Sequence, residues 1–230
     1  MLYAVIAAGG TGSRMGAEKP KQYINVGDKP IIAHTVQKFL DREEFRKIIV
    51  LCPVEWCDYT YELISKHCKS DSVAVISGGS DRNETIMNSV RYIESTDGLS
   101  EDTVIVTHDA VRPFVTNEII SSHIEKCRFY DAIGTVIPAT DTIIESFDGL
   151  TVDGTPDRSK LFQCQTPQTF KAKRLKELYE NLTDDQKAIL TDTCSVFSVS
   201  GEKVYLVRGD VQNIKITYPY DLKVAEVILK

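Results

Sequence analysis

The 230-residue chain predicts an α/β fold, a Rossmann-like, mostly parallel sheet with helices on both faces and a protruding β-hairpin arm. Three observations carry this expectation. Short apolar runs, mostly β-branched, recur up to Pro138 in the manner of buried parallel strands. Between them, apolar positions repeat at helical spacing, which alternates strand with helix and so favours parallel pairing. Beyond Pro138 the rhythm gives way to a polar, turn-rich stretch around Asp148-Gly149.

In chain order, the strands are expected at Leu2–Ala7, Lys47–Cys52, Ser72–Ile76, Thr103–Thr107 and Ala132–Pro138. Helical stripes fall on Ile32, Val36, Phe39 and Leu40, then on Ile86, Val90 and Ile93, and then on Ile119, Ile120, His123, Ile124 and Cys127. His123 lies on the last stripe and reads as a packed core histidine. Thr142–Ser146 and Thr151-Val152, joined through Asp148-Gly149, read as a hairpin too short to be stable alone, so it should pack on another subunit. Leu175, Leu178, Tyr179 and Leu182 mark a further helix, Val204–Val207 and Ile214–Thr217 two more strands, and Leu222, Ala225, Ile228 and Leu229 a closing helix. With no repeat or linker in the chain, 1–230 reads as a single domain carrying an arm at about 139–160.

Composition narrows the function. A net charge of −6 argues against a nucleic-acid partner, because a phosphate backbone demands a dense basic face. No apolar run approaches the ~20 residues that span a bilayer, and the short N-terminal run flows into glycines and not into a cleavage site. The 6 cysteines show no C-x-x-C pair and no metal-ligand spacing with the 4 histidines, so they read as reduced thiols of a cytoplasmic protein.

The richest segment follows the first strand: Ala7-Ala8-Gly9-Gly10-Thr11-Gly12-Ser13-Arg14-Met15-Gly16, then Lys19-Pro20-Lys21-Gln22. Glycines let backbone N–H groups close on a phosphate chain. The spacing fits neither the dinucleotide fingerprint nor a P-loop. Arg14 and Lys21 add fixed cations, which suits chemistry at phosphorus. Ligands of open parallel sheets collect at the carboxyl ends of strands. Other candidate strand ends carry Gly78-Gly79-Ser80-Asp81-Arg82 with Thr85 just beyond, His108-Asp109-Ala110-Val111-Arg112, and Asn213-Ile214-Lys215. Alone, Asp109 could be a cap, Arg112 a surface ion pair and Lys215 a solvated residue. Together they describe a pocket for several phosphates on an acidic chain.

These segments, with Asp141-Thr142, Asp157-Arg158, Gln165-Thr166-Pro167-Gln168-x-Phe170, Thr191-Asp192 and Asn213-Ile214-Lys215-x-Thr217, span the whole chain in order. The sequence resembles the cytidylyltransferases that activate sugar-alcohol phosphates with CTP. The resemblance implies attack of an alditol phosphate on the α-phosphorus of CTP, with release of pyrophosphate. It gives Arg14 and Lys21 the catalytic role of stabilising the transferring phosphoryl group. Ala7, Ala8, Gly9, Gly10, Gly12, Gly79, Ser80, Arg82 and Thr85 would hold CTP, while Asp109, Arg112, Thr191 and Lys215 would face the acceptor. Thr142 and Arg158 match arm residues that reach the partner subunit's site in a homodimer. Mg²⁺ is implied on the CTP phosphates, with Asp109 the one carboxylate placed near it.

Two branches of that family compete. Asp81–Asn88, Phe162–Gln168, Leu190–Cys194 and Pro219–Val224 look like the ribitol 5-phosphate branch, which serves teichoic acid and cell wall synthesis. Ala7-Ala8-Gly9 is the commoner opening of the methylerythritol 4-phosphate branch of isoprenoid synthesis. Ribitol 5-phosphate is therefore placed first and 2-C-methyl-D-erythritol 4-phosphate second. Other classes fit less well. A nicotinamide oxidoreductase needs Gly-x-Gly-x-x-Gly, a silent nucleotide binder would lose the cations, and a metal-dependent glycosyltransferase would show Asp-x-Asp, which the chain lacks.

Overall fold

The computed structural model describes residues 1–10, 19–68 and 71–229. Its strands are β1 (Leu2–Ala7), β2 (Asn25–Val26), β3 (Lys29–Pro30), β4 (Lys47–Cys52), β5 (Val73–Ser77), β6 (Val104–Asp109), β7 (Ala132–Pro138), β8 (Phe162–Lys171) and β9 (Tyr205–Arg208). Its helices are α1 (Ile31–Leu40), α2 (Cys57–Cys68), α3 (Arg82–Asp97), α4 (Asn117–Lys126), α5 (Ala172–Asn181), α6 (Asp184–Ala188), α7 (Cys194–Val199) and α8 (Pro219–Ile228). Seven strands form one sheet in the order β5-β4-β1-β6-β8-β7-β9, and β2 and β3 make a separate antiparallel pair.

Alternation along each central strand builds two cores. Ala4, Ile6, Ile48, Val50 and Val106 turn to one face, where they meet Ile32, Val36 and Phe39 of α1, Leu63 and Ile64 of α2, and Ile119 and Ile120 of α4. Tyr3, Val5, Ile49, Leu51 and Ile105 turn to the other, against Ile86, Val90 and Ile93 of α3 and Leu175, Leu178 and Tyr179 of α5. Strands covered on both faces need apolar side chains at every position, which is why they read as continuous runs. Each fully buried large aliphatic side chain contributes about 1.5–3 kcal/mol. No helix among the described residues is long and apolar enough to cross a membrane.

The mostly parallel sheet and its two helical layers match expectation, and β1, β4 and β7 have the expected bounds. The helices α2, α6 and α7 and the β2–β3 pair add to the expected elements, and three further features depart from expectation. β8 was not foreseen; it runs antiparallel between β6 and β7, so the sheet is mixed. Its Gln165-Thr166-Pro167-Gln168 core offers no β-branched run, and its polar side chains serve the pocket instead of an apolar layer. Ile214–Thr217 is not a strand: Ile216 is buried and donates its N–H to Val111 O at 2.9 Å, with no ladder around it. The arm is loop-built, carrying one bridge, Glu145 to Gly154, in place of two paired strands. Asp148 explains this, since its carboxylate accepts from Leu150 N–H at 2.7 Å and Thr151 N–H at 2.8 Å and so substitutes side-chain bonds for a ladder. His123 is a core histidine as expected, fully buried between Thr169 and Thr135.

Candidate active site

From β1 the strand order proceeds one way through β4 and β5 and the other way through β6, so the crevice lies at the carboxyl ends of β1 and β6. Ala7 and Asp109 are register partners at that edge. A cavity of about 300 Å³ opens there, lined by Ala7, Ala8, Gly9, Gly10, Lys21, Gln22, Gly79, Ser80, Asp81, Arg82, Thr85, Asp109, Ala110, Val111 and Lys215. The structure thus gathers into one pocket the glycine segment, the turn after β5, the end of β6 and the distant Lys215. Gly12 and Arg14 lie outside the described residues.

Lys21 opens a short 3₁₀ turn, Lys21–Tyr23, and is itself buried. Gln22 Nε2 donates to Ala8 O at 2.7 Å, tying that turn to the end of β1. Tyr23 anchors it from behind, donating to or accepting from Thr60 Oγ1 at 2.7 Å and stacking on Trp56 at 5.1 Å. A charged lysine head is thereby held on a rigid support at the pocket wall. Across the cavity, Gly79 N–H donates to Thr85 Oγ1 at 3.0 Å, and that hydroxyl donates on to Asp81 O at 2.7 Å. The proton of Thr85 is spent on holding the turn, so its part is to shape the wall. Gly79 is required by packing: a Cβ there would lie 2.6–2.7 Å from Glu84 atoms.

On the other side Asp109 collects cations. Lys215 Nζ stands 2.9 Å from Oδ2, Arg82 Nη2 3.3 Å from Oδ1 and Arg112 Nε 3.7 Å from Oδ2. Burial alone would raise the carboxyl's pKa, but Arg82, Lys215 and Arg112 together hold it well below the ordinary value. Three cations around one carboxylate leave the cluster with an excess of two positive charges beside the pocket, a complement to a phosphate dianion. Arg112 is buried and donates from Nη1 to Asn213 O at 2.7 Å, so it stands behind Asp109 and not on the cavity wall. His108 donates from Nε2 to Arg112 O at 3.0 Å, and burial lowers its pKa to about 4, which keeps it neutral.

Several expected residues are elsewhere. Arg82 lines the cavity, yet its guanidinium turns away from the nucleotide-side turn toward Asp109, Thr193 and Gln168. Thr191 lines a neighbouring cleft with Asn83 and Tyr179. Thr142 and Arg158 are exposed on the arm, and Arg158 Nη1 donates to Thr140 O at 2.9 Å. Asp109 does not fit as a magnesium ligand: both its oxygens face cations, and a divalent ion would enter a ring of positive charge. No group of three His, Cys, Asp or Glu side chains comes together among the described residues. The polar residues unforeseen as site members are Gln22, Thr166, Gln168, Thr193 and Asn213. Thr166 Oγ1 accepts from Asp109 N–H at 3.1 Å, and Asn213 Nδ2 donates to Thr166 O at 2.8 Å.

Comparison with known proteins bears on the family and the fold. The family model described as IspD: 2-C-methyl-D-erythritol 4-phosphate cytidylyltransferase matches residues 2–230. The 4-diphosphocytidyl-2C-methyl-D-erythritol synthase of Anaerococcus prevotii DSM 20548 superposes with a TM-score of 0.82 at 28% identity, covering 100% of this chain and 96% of that one. The 2-C-methyl-D-erythritol 4-phosphate cytidylyltransferase of Francisella tularensis gives 0.81 at 28% identity, covering 98% of each chain. That of Thermus thermophilus, 23% identical with a TM-score of 0.75 over 99% of this chain and 98% of that one, bears on the fold alone. These matches favour the methylerythritol branch over the ribitol branch that the sequence motifs place first.

Proposed function

The chain belongs to the 2-C-methyl-D-erythritol 4-phosphate cytidylyltransferase family, and from that premise we propose that it transfers CMP from CTP to the phosphate of 2-C-methyl-D-erythritol 4-phosphate. A phosphate oxygen of the acceptor attacks the α-phosphorus, the bond to the β-phosphate breaks, and pyrophosphate leaves. The observation that carries this reading is the pocket with Lys21 on one wall and the Asp109 cluster, with its surplus positive charge, on the other. An acceptor phosphate with a second pKa near ~6 is already largely dianionic at neutral pH. The reaction needs no protein base, and none is offered, since neutral His108 points its proton at a backbone carbonyl. Catalysis then reduces to alignment and charge neutralisation.

In this reading Lys21, with Arg14 by family resemblance, faces the triphosphate, Ala7–Gly10 and Gly79-Ser80 approach the nucleoside, and Lys215 faces the acceptor phosphate. Asp109 is the acceptor's hydrogen-bond partner. Magnesium enters no step attributed to Asp109. The arm exposes Ile144, Phe147, Leu150 and Val152 to 53%, 91%, 90% and 61%, which supports its packing against a second copy in a homodimer.

A second acceptor, ribitol 5-phosphate, is favoured by the segments Asp81–Asn88 and Phe162–Gln168; the comparisons lend support to the isoprenoid role and none to a cell-wall one. The acceptors differ by a methyl branch and a hydroxyl pattern, and one methylene is worth only ~1–3 kcal/mol of discrimination. Pyrophosphate release from CTP and Mg²⁺, run in parallel with the two acceptors, decides between them. Strong release with methylerythritol phosphate and little with ribitol phosphate is the expected result. The reverse transfers the assignment, and release with neither ends both readings.

A further inference from the structure

Among the pocket cations, Arg82 is built differently from the others. It is the first residue of α3, whose N-cap Asp81 accepts from Glu84 N–H at 2.9 Å. The preceding turn is clamped to this same helical turn through Gly79 N–H and Thr85, and Glu84 leaves no room beside Gly79 for a side chain. The guanidinium meanwhile spends its donors away from the nucleotide side. Nε and Nη2 point at Asp109 Oδ1 at 3.4 and 3.3 Å, and Nη1 donates to Thr193 Oγ1 at 2.9 Å. Thr193 passes its own proton to Asn83 Oδ1 at 3.1 Å, which fixes the direction of the chain and closes a loop back onto α3. Gln168 adds its Oε1 at 3.5 Å from Nη1 while its Nε2 donates to Asp192.

From this arrangement we propose that Arg82 is a positioning residue for the transfer reaction: it fastens the nucleotide-side turn to the Asp109 carboxylate and so holds the acceptor's contact group in register with the nucleotide. The inference rests on the acceptor-side reading of Asp109. A planar fork with its donors spread over three acceptors does this where a point charge would not. Binding at the two subsites is thereby mechanically joined through one side chain, because α3 cannot shift at its first turn without moving Asp109 or breaking the fork. A misplacement on the order of 1 Å costs about 10²-fold in rate, which sets the scale of the effect.

The test compares Arg82→Met and Arg82→Lys with the unaltered protein, using steady-state pyrophosphate release and calorimetric CTP binding. In Arg82→Met, kcat/KM for the acceptor falls about 10²-fold while CTP affinity holds. Arg82→Lys, which keeps the charge but not the fork, recovers part of the loss. CTP affinity that falls in step with kcat/KM makes Arg82 a nucleotide contact and overturns the proposal, as does unchanged kinetics. Should Arg82→Met fail to fold in a thermal melt, Thr193→Val removes only the outer support, and a smaller loss of the same kind is expected; no loss overturns it. If the unaltered protein turns over neither acceptor, the acceptor reading fails by itself. The crystal structure of Arg82→Met then decides the present point: a displaced Asp109 carboxylate upholds it and an unmoved one overturns it.

Discussion

Asp109 and Lys215 are 106 positions apart in numbering, yet their head groups are 2.9 Å apart, and the sequence announces both because a charge that closes or interrupts a short apolar run has few structural duties. Lys21 is legible from the glycine segment that it follows. Gln22, Gln168 and Thr193 are not, since neutral polar side chains follow no periodicity and their purpose, holding Ala8 O, Arg82 and Asp192, exists only in three dimensions. The orientation of Arg82 was equally hidden: its position next to a glycine turn suggests a nucleotide contact, and only the fold shows the guanidinium on Asp109. At this scale the decisive expectation concerns Lys21. Its charge matters most where charge accumulates on the transferring phosphoryl group, so Lys21→Ala should lower kcat by ~10²–10³ and weaken CTP binding far less. Single-turnover kinetics with calorimetric CTP titration separate the two. A fall of less than about tenfold, well short of what one preorganised donor supplies, would return Lys21 to the role of a buried structural lysine.

The buried parallel strands were legible because both faces of each are apolar, whereas β8 hid behind its glutamines and a proline and α2 behind a stripe reduced to Thr60, Leu63 and Ile64. Ile214–Thr217 misled in the opposite sense: its β-branched residues follow from one buried isoleucine at Ile216 and not from a ladder. The junction of β5 with α3 invites a direct test. Gly79→Ala places a methyl 2.6–2.7 Å from Glu84, including its backbone carbon, so the first turn of α3 must shift. The expected outcome is a lower thermal midpoint together with weaker CTP binding, measured by calorimetry; an unchanged pair would mean the turn yields freely. The contact of α4 with β7 and β8 makes a second test. Thr135 donates to Pro167 O at 2.6 Å, so it accepts from His123 Nε2–H, and Thr169 donates to the bare Nδ1. Burial lowers the pKa of His123 to about 3, and that of His108 to about 4, from 6.5. Between those values the unfolded chain binds protons that the folded one refuses, so stability is complete above 6.5 and drains as pH falls. Each histidine contributes a slope of about 1.4 kcal/mol per pH unit within that window. Urea unfolding from pH 7 to pH 4 checks it, and His123→Gln should flatten the curve by one histidine's share.

For the whole molecule the arm matters most, because a loop with one bridge and a row of exposed apolar side chains gains order only by packing on something else. Its position was legible from the change of rhythm after Pro138; its construction was not, because Asp148 organises the tip by accepting backbone N–H groups that a hairpin would have paired. Thr142 and Arg158 stand on this arm and outside the lining of the cavity, so a role in catalysis requires that they serve a neighbour's pocket. Mixing two inactive variants tests this. An Arg158→Ala chain keeps a sound Lys21 wall, and a Lys21→Ala chain keeps a sound arm. Random re-assortment of equal amounts gives about half mixed dimers by isologous pairing, each with one intact composite site beside one doubly damaged site. The recovered activity is then about a quarter of the unaltered protein's, by the same pairing. An arm folded on its own subunit predicts none, since each chain would carry its lesion into its own site. Both variants must first be shown to dimerise by sedimentation. A verified mixed population without recovered activity would return Arg158 to a same-subunit role and leave the arm as an assembly device alone.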